Sequence, residues 1–236
     1  MLPRHQAIPI IFVDMKKGLW KYYLIALLVI FIDQASKLWV HTNMQMGPQG
    51  AIRLLGDLFK LHYTLNPGMA FGIQFGFRYG KLVLTLGRII ATFVIAYHMW
   101  RLWQDEASLR KQLWGWALVL GGAIGNVVDS TFYGVLLDNS PYNAPMTWFH
   151  GQVIDMIYLD IWSGKIPGWV PLLGNSYFAA LPIFNLADTA IFLGVLLIFW
   201  VRREAIQQSK LNATHPDSSE FPEAVSQPLD VSEETL

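Results

Sequence analysis

The chain has 236 residues, of which 53% are hydrophobic and 14% charged, against about 25% charged in an ordinary soluble domain. Seventeen basic and seventeen acidic residues cancel, so no strong field draws nucleic acid or an acidic partner. The absence of cysteine excludes disulfides, thiolate metal sites and a cysteine nucleophile together.

Four stretches are long and apolar enough to cross a bilayer, which takes roughly 20 residues of helix. The first is predicted over about 19–40. Lys16, Lys17 and Lys21 precede it as they would a signal peptide. It has no small-residue cleavage site and its apolar run is long, so it reads as an anchor. Asp33 and Lys37 lie four apart within it and can pair on one face. That pair reads either as a snorkelling trim of the helix end or as part of a site.

Residues 41 to 80 form the first outward loop. Phe59, Leu61, Tyr63 and Leu65 alternate with Lys60, His62 and Thr64, the period of a strand with one buried face. A small sheet at the membrane surface is expected there. The second span covers about 81–103 and the third about 113–131. In the third, Gly121 and Gly125 make a small face for close helix packing. Asn126 and Asp129, three apart, then point to one side and each needs a partner.

Residues 135 to 177 are too long for a structureless connection in a compact domain. Trp148, Tyr158, Trp162 and Trp169 suggest a segment lying on the bilayer. Asp155 falls here among Val153, Ile154, Met156 and Ile157, apolar neighbours that argue for burial. The fourth span is predicted over about 178–201. A helix starting between Phe178 and Pro182 would hold Asp188 roughly 9–15 Å inside it, with Asn185 on the same side. The tail from 212 to 236 has six acids and no Lys or Arg, a disordered composition. Residues 1–211 then form one polytopic membrane domain.

Lys and Arg flank the spans unevenly. Arg4, Lys16, Lys17 and Lys21 precede the first, Arg101, Arg110 and Lys111 join the second to the third, and Arg202, Arg203 and Lys210 follow the fourth. Lys165 stands alone between the third and fourth. Both termini are therefore expected in the cytoplasm. The fold class is an all-α membrane protein with four transmembrane helices, a small extracytoplasmic β-sheet and a surface-lying segment.

No H-E-x-x-H, G-x-S-x-G or glycine-rich phosphate loop occurs, so no metal and no cofactor are expected. Acids near one face of a bundle could also serve a small proton- or ion-coupled transporter, but no internal repeat of the transporter kind is evident. A scaffold for envelope assembly would give Asn126, Asp129, Asn185 and Asp188 no reason to converge.

Five segments in order resemble signal peptidase II, the lipoprotein signal peptidase. They are DQASK (Asp33 to Lys37), NPGMAFG (Asn66 to Gly72), GGAIGNVVD (Gly121 to Asp129), VID (Val153 to Asp155) and FNLAD (Phe184 to Asp188). The resemblance runs from about residue 19 to 203 and implies a membrane aspartyl protease of the bacterial inner membrane. It implies that Asp155 and Asp188 activate water to cut prolipoprotein signal peptides just before a diacylglyceryl-Cys. Asn66, Gly68, Ala70 and Phe71 would border the substrate. Asp33, Lys37, Asn126, Asp129 and Asn185 would shape and support the site. The implied partners are prolipoprotein signal peptides, membrane lipid and globomycin-type inhibitors, with no nucleic acid. Two departures stand out. Ser130 occupies a place where the family usually has Arg, so that cation is absent or comes from Lys37, Arg53 or another residue. The stretch from Asp129 to Asp155 is long, which leaves Asp138 and Asp160 as alternatives to Asp155.

Overall fold

The structure is a computed structural model that describes residues 18–67, 78–104, 110–165, 167–169, 177–179 and 181–214. Gly68, Ala70 and Phe71, the N-terminal flank before Gly18 and the acidic tail beyond Thr214 lie outside the described residues.

Helix α1 spans Trp20–Asn43, strands β1 and β2 span Ile52–Leu55 and Phe59–Asn66, and α2 spans Gly80–Gln104. Helix α3 spans Leu113–Val128 and runs on through one π-helical turn, Asp129–Tyr133, to Leu136. Strands β3, β4 and β5 are Val153–Leu159, Ser163–Lys165 and Tyr177–Ala179, and α4 is Leu186–Thr214. By length and composition α1, α2 and Leu113–Leu136 could each cross a membrane. Helix α4 exposes Phe192, Phe199 and Trp200 but carries Asp188 at one end and Arg202 and Arg203 at the other.

The bundle is inside out relative to a soluble protein. Leu27, Phe31, Ile90, Phe93 and Leu196 are exposed, while Asp33, Lys37 and Asp129 are fully buried. Apolar surface facing outward is what lipid favours, and polar groups then have to satisfy one another inside. Helix α3 packs on α1, α2 and α4, and glycines bring it close. A Cβ on Gly121 would lie 2.7 Å from Val29 of α1, and one on Gly115 would lie 2.6 Å from the Gly194 carbonyl of α4. The glycine face expected at Gly121 and Gly125 thus meets α1, and a second face, Gly115 and Gly122, meets α4.

At the end of the bundle where α1 begins, Tyr22 packs edge-on against Trp103 and Trp114. Lys21 Nζ lies 5.2 Å from the Trp114 ring centre and Arg110 Cζ lies 4.9 Å from that of Trp103. The opposite end carries the sheet, in order β1-β2-β3, both pairs antiparallel. The alternation read over 59–65 therefore is a strand. The second loop's Val153–Leu159 stretch supplies the third strand, with Asp155 opposite Thr64. Ile154 and Met156 on one face of β3 enter a cluster with Val40, Met44, Tyr63 and Tyr133. Burial of these apolar groups draws the strand down onto the ends of α1 and α3. Trp148, Trp162 and Trp169 stay exposed.

The fourth helix begins later than expected, at Leu186 instead of near 178. Tyr177–Ala179 pairs as a strand with Ser163–Lys165, and a proline at 182 biases the residue before it to an extended backbone. Phe184 then bridges Ile157: its N–H donates to Ile157 O at 3.0 Å, and Ile157 N–H donates back at 2.7 Å. A residue whose backbone pairs as a strand cannot also start a helix.

Candidate active site

Asn185 is the N-cap of α4. Its side-chain oxygen accepts the Asp188 N–H at 2.9 Å, and its own N–H donates to Asp188 Oδ2 at 3.4 Å. This reciprocal pair is a capping box in which Asp188, the third helical residue, replaces the usual Glu. Asp188 therefore sits about 3 Å along α4 at 1.5 Å per residue, not the 9–15 Å expected from the earlier start. An acid in the first turn also faces the positive end of the helix dipole. The Ala187 N–H, another free donor of that turn, reaches Asp33 Oδ1 at 2.9 Å.

The Ile157–Phe184 bridge lies two residues after Asp155 and one before Asn185, so backbone pairing fixes β3 against the start of α4. Across that junction the Asn185 side-chain nitrogen donates to Asp155 Oδ1 at 2.7 Å. Asn66, at the end of β2, donates to Asp155 Oδ2 at 2.9 Å. Asn126 of α3 donates to Asp188 Oδ1 at 2.9 Å. Asp155 is 1% exposed. Burial pushes its carboxyl up to about 7, the negative charge of Asp188 adds to this, and the Asn66 and Asn185 donors restrain it.

Beneath this layer lies a buried ion cluster. Lys37 Nζ is 2.7 Å from Asp33 Oδ2 and 2.6 Å from Asp129 Oδ2, all three side chains fully buried. It also donates to Asn126 Oδ1 at 3.2 Å. Gln34 donates to Asp129 Oδ1 at 2.8 Å and accepts from the Tyr133 hydroxyl at 2.8 Å. Complete burial rules out the snorkelling reading of Asp33 and Lys37. The cluster also explains Gly125, since a Cβ there would lie 2.6 Å from Asp33 Oδ2.

Of the three acids weighed in the second loop, Asp155 alone meets Asn185. Asp138 is exposed, and Asp160 pairs with Lys60 at 3.5 Å. Among the cations weighed, Lys37 is inside, while Arg53 is 71% exposed and pairs with Asp57. The residue the sequence reading passed over is Arg88 of α2, whose Nη1 donates to Ser130 Oγ at 2.9 Å. The signal was available: a guanidinium within an apolar span is a site candidate by default.

The family described as Signal peptidase (SPase) II matches residues 25–202. A lipoprotein signal peptidase of Amoebophilus asiaticus is 57% identical over 209 residues, covering 88% of this chain and 89% of the relative. One from Porphyromonas gingivalis is 37% identical over 181 residues, covering 72% and 77%. The chain belongs to the signal peptidase II family. It is thus a membrane aspartic endopeptidase that processes lipoprotein signal peptides, and prolipoproteins are its substrates. Two solved bacterial membrane enzymes share the fold. One has a TM-score of 0.52 at 22% identity, covering 86% of this chain and 95% of that one. The other has a TM-score of 0.50 at 24% identity, covering 76% and 90%. In this signal peptidase II the bundle is apolar outside and gathers its buried acids and amides at one end, beside the sheet.

Proposed function

We propose that Asp155 and Asp188 activate the water that cuts the prolipoprotein, just before the cysteine that carries diacylglycerol. The observation that carries this reading is Asn185, one residue that donates to both acids, from its amide to Asp155 and from its backbone to Asp188. Peptide hydrolysis needs a base to deprotonate water and an acid to assist the carbonyl. Two neighbouring carboxyls that share a proton supply both, since like charges a few Å apart resist double ionisation. The raised Asp155 carboxyl favours one shared proton near neutral pH.

The chain spans the bacterial inner membrane four times as one polytopic unit, with both termini cytoplasmic and the sheet extracytoplasmic. The Lys21, Arg110 and tryptophan cluster at the far end of the bundle supports this orientation, because aromatic rings favour the interface and basic residues the cytoplasmic side. The site then lies near the outer face, where the small residues before the lipidated cysteine reach the acids. The acyl chains stay in lipid between the helices, and Asn66 with Gly68, Ala70 and Phe71 border the peptide.

The test offers a diacylated prolipoprotein to the purified protein in detergent. Cleavage blocked by globomycin is expected, and Asp155→Asn or Asp188→Asn should each lower it at least about 100-fold. If Asp155→Asn cleaves normally while Asp138→Asn does not, the pair has been assigned wrongly.

A further inference from the structure

Among the described residues, the polar cluster at this end of the bundle, with Asp33, Asp129 and Asp155 buried and Asp188 half-buried, is short of positive charge. Asp33, Asp129, Asp155 and Asp188 are joined to one another through Lys37, Asn126 and Asn185. Even with one proton shared between Asp155 and Asp188, three carboxylates face one ammonium. Uncompensated charge in a dehydrated interior is costly, so a second cation is expected nearby.

Three basic side chains come into question. Arg53 is out in solvent beside Asp57. Lys81 is buried, its Nζ donates to the Pro67 carbonyl at 2.8 Å, and of the four acids it interacts electrostatically with Asp129, not with the Asp155–Asp188 pair. Arg88, seven residues further along α2, is half-buried and donates to Ser130 Oγ at 2.9 Å. Ser130 is fully buried, and its hydroxyl donates a hydrogen bond to the Asn126 carbonyl at 2.9 Å. The side chain of that same Asn126 holds Asp188. The guanidinium acts electrostatically on Asp188, Asp129 and Asp155, and also on Lys81 of its own helix. Lys37 reaches the site from α1 and acts on Asp155 from the other side.

Ser130 follows Asp129 within the wide π turn of α3. Its short side chain lets the Arg88 guanidinium of α2 come within 2.9 Å of Oγ. A longer residue at 130 would compete with Arg88 for that place.

We infer that Arg88 is a positioning residue for the cleavage reaction: it supplies the second positive charge of the site from α2, by way of Ser130, and so balances the Asp155–Asp188 pair. The inference rests on the pair proposed above. It also makes positions 88 and 130 interchangeable in one respect, since a cation reaching that spot from either helix should serve.

The experiment measures prolipoprotein cleavage by the purified full chain for five variants, with melting temperature recorded for each. Arg88→Gln keeps a donor for Ser130 but removes the charge, and kcat should fall about 10- to 100-fold with the fold retained. Arg88→Lys should recover most of that loss. The exchange variant, Arg88→Ser combined with Ser130→Arg, should cleave at least about tenfold faster than Arg88→Gln. A native rate for Arg88→Gln overturns the inference. So does a loss that neither Arg88→Lys nor the exchange restores, which would mark Arg88 as packing. Asp155→Asn and Asp188→Asn complete the set. If they cleave normally, the catalytic pair itself is misassigned; if they are inactive while Arg88→Gln is not, only the role of Arg88 falls.

Discussion

Asp155 is held where a carboxylate is costly. It lies on a strand whose other face, Ile154 and Met156, is packed into an apolar cluster, and its two oxygens receive one amide each from Asn66 and Asn185. Burial dominates, so its carboxyl moves from an ordinary 3.8 up to about 7. The folded chain holds this proton more tightly than the unfolded chain does. The associated stability is therefore complete below about pH 4 and is lost as pH rises through about 7. The full span is about 4 kcal/mol, and solvent relaxation will reduce it. Asp155→Asn removes the titrating group. The native chain should therefore lose melting temperature relative to Asp155→Asn between pH 4 and 8, as measured by thermal unfolding in detergent. Parallel pH profiles for the two proteins would show that Asp155 is not the buried acid described.

At the scale of elements, the site is a junction of helix ends and strand ends. The cap Asn185, the bridge Phe184–Ile157 and the π turn at Asp129 each take up backbone groups that a plain helix or strand would use internally. Carbonyls of Ser130 and Thr131 accept from Gly151 and Phe149 of the following loop, which ties the wide turn to the segment leading into β3. Much of this was legible beforehand. The alternation over 59–65, the Asp33–Lys37 spacing and the Asn126–Asp129 face all have local periods, and local periods survive folding. Strand β3 was not legible because its sequence, Val153 to Leu159, is nearly all apolar and its partner Thr64 is far away along the chain. The start of α4 is hidden in the sequence because apolar content from Phe178 onward outweighs the Asn-x-x-Asp cap signal at 185–188. Helix spacing was also only half visible, since Gly122 was not singled out. A Cβ at Gly122 would run into the Ala187 carbonyl oxygen at the start of α4, whereas a Cβ at Gly87 would meet nothing within 4 Å. Gly122→Ala should thus destabilise by about 1–3 kcal/mol and depress cleavage by shifting Asp188. Gly87→Ala should be neutral in both. Equal melting temperatures for the two variants would mean that α3 and α4 are further apart than described.

For the whole molecule, the two ends of the bundle differ in chemistry. One gathers carboxyls, amides and the sheet; the other gathers Tyr22, Trp103 and Trp114 with Lys21 and Arg110. Helix α1 runs from the aromatic end to the site, α2 returns, α3 runs out again through Asn126 to Asp129, and α4 returns from Asn185. If the site faces outward, Lys111 and Arg203 lie on the cytoplasmic side and Lys165 lies on the other. All three are exposed, and the chain has no cysteine of its own, so one introduced thiol gives one label. In right-side-out vesicles a membrane-impermeant maleimide should modify Lys165→Cys and spare Lys111→Cys and Arg203→Cys. In inside-out vesicles the pattern should reverse. Labelling of Lys165→Cys and Arg203→Cys from the same side would require α4 not to cross the bilayer. That helix is the one whose apolar stretch is bounded by Asp188 and by the Arg202–Arg203 pair, so it is where the four-span arrangement is most exposed to refutation. Such a result would leave Asn185 and Asp188 in contact with Asp155 and Asn126, because those contacts are made in the first turn of α4. Labelling therefore tests the orientation without prejudging the chemistry.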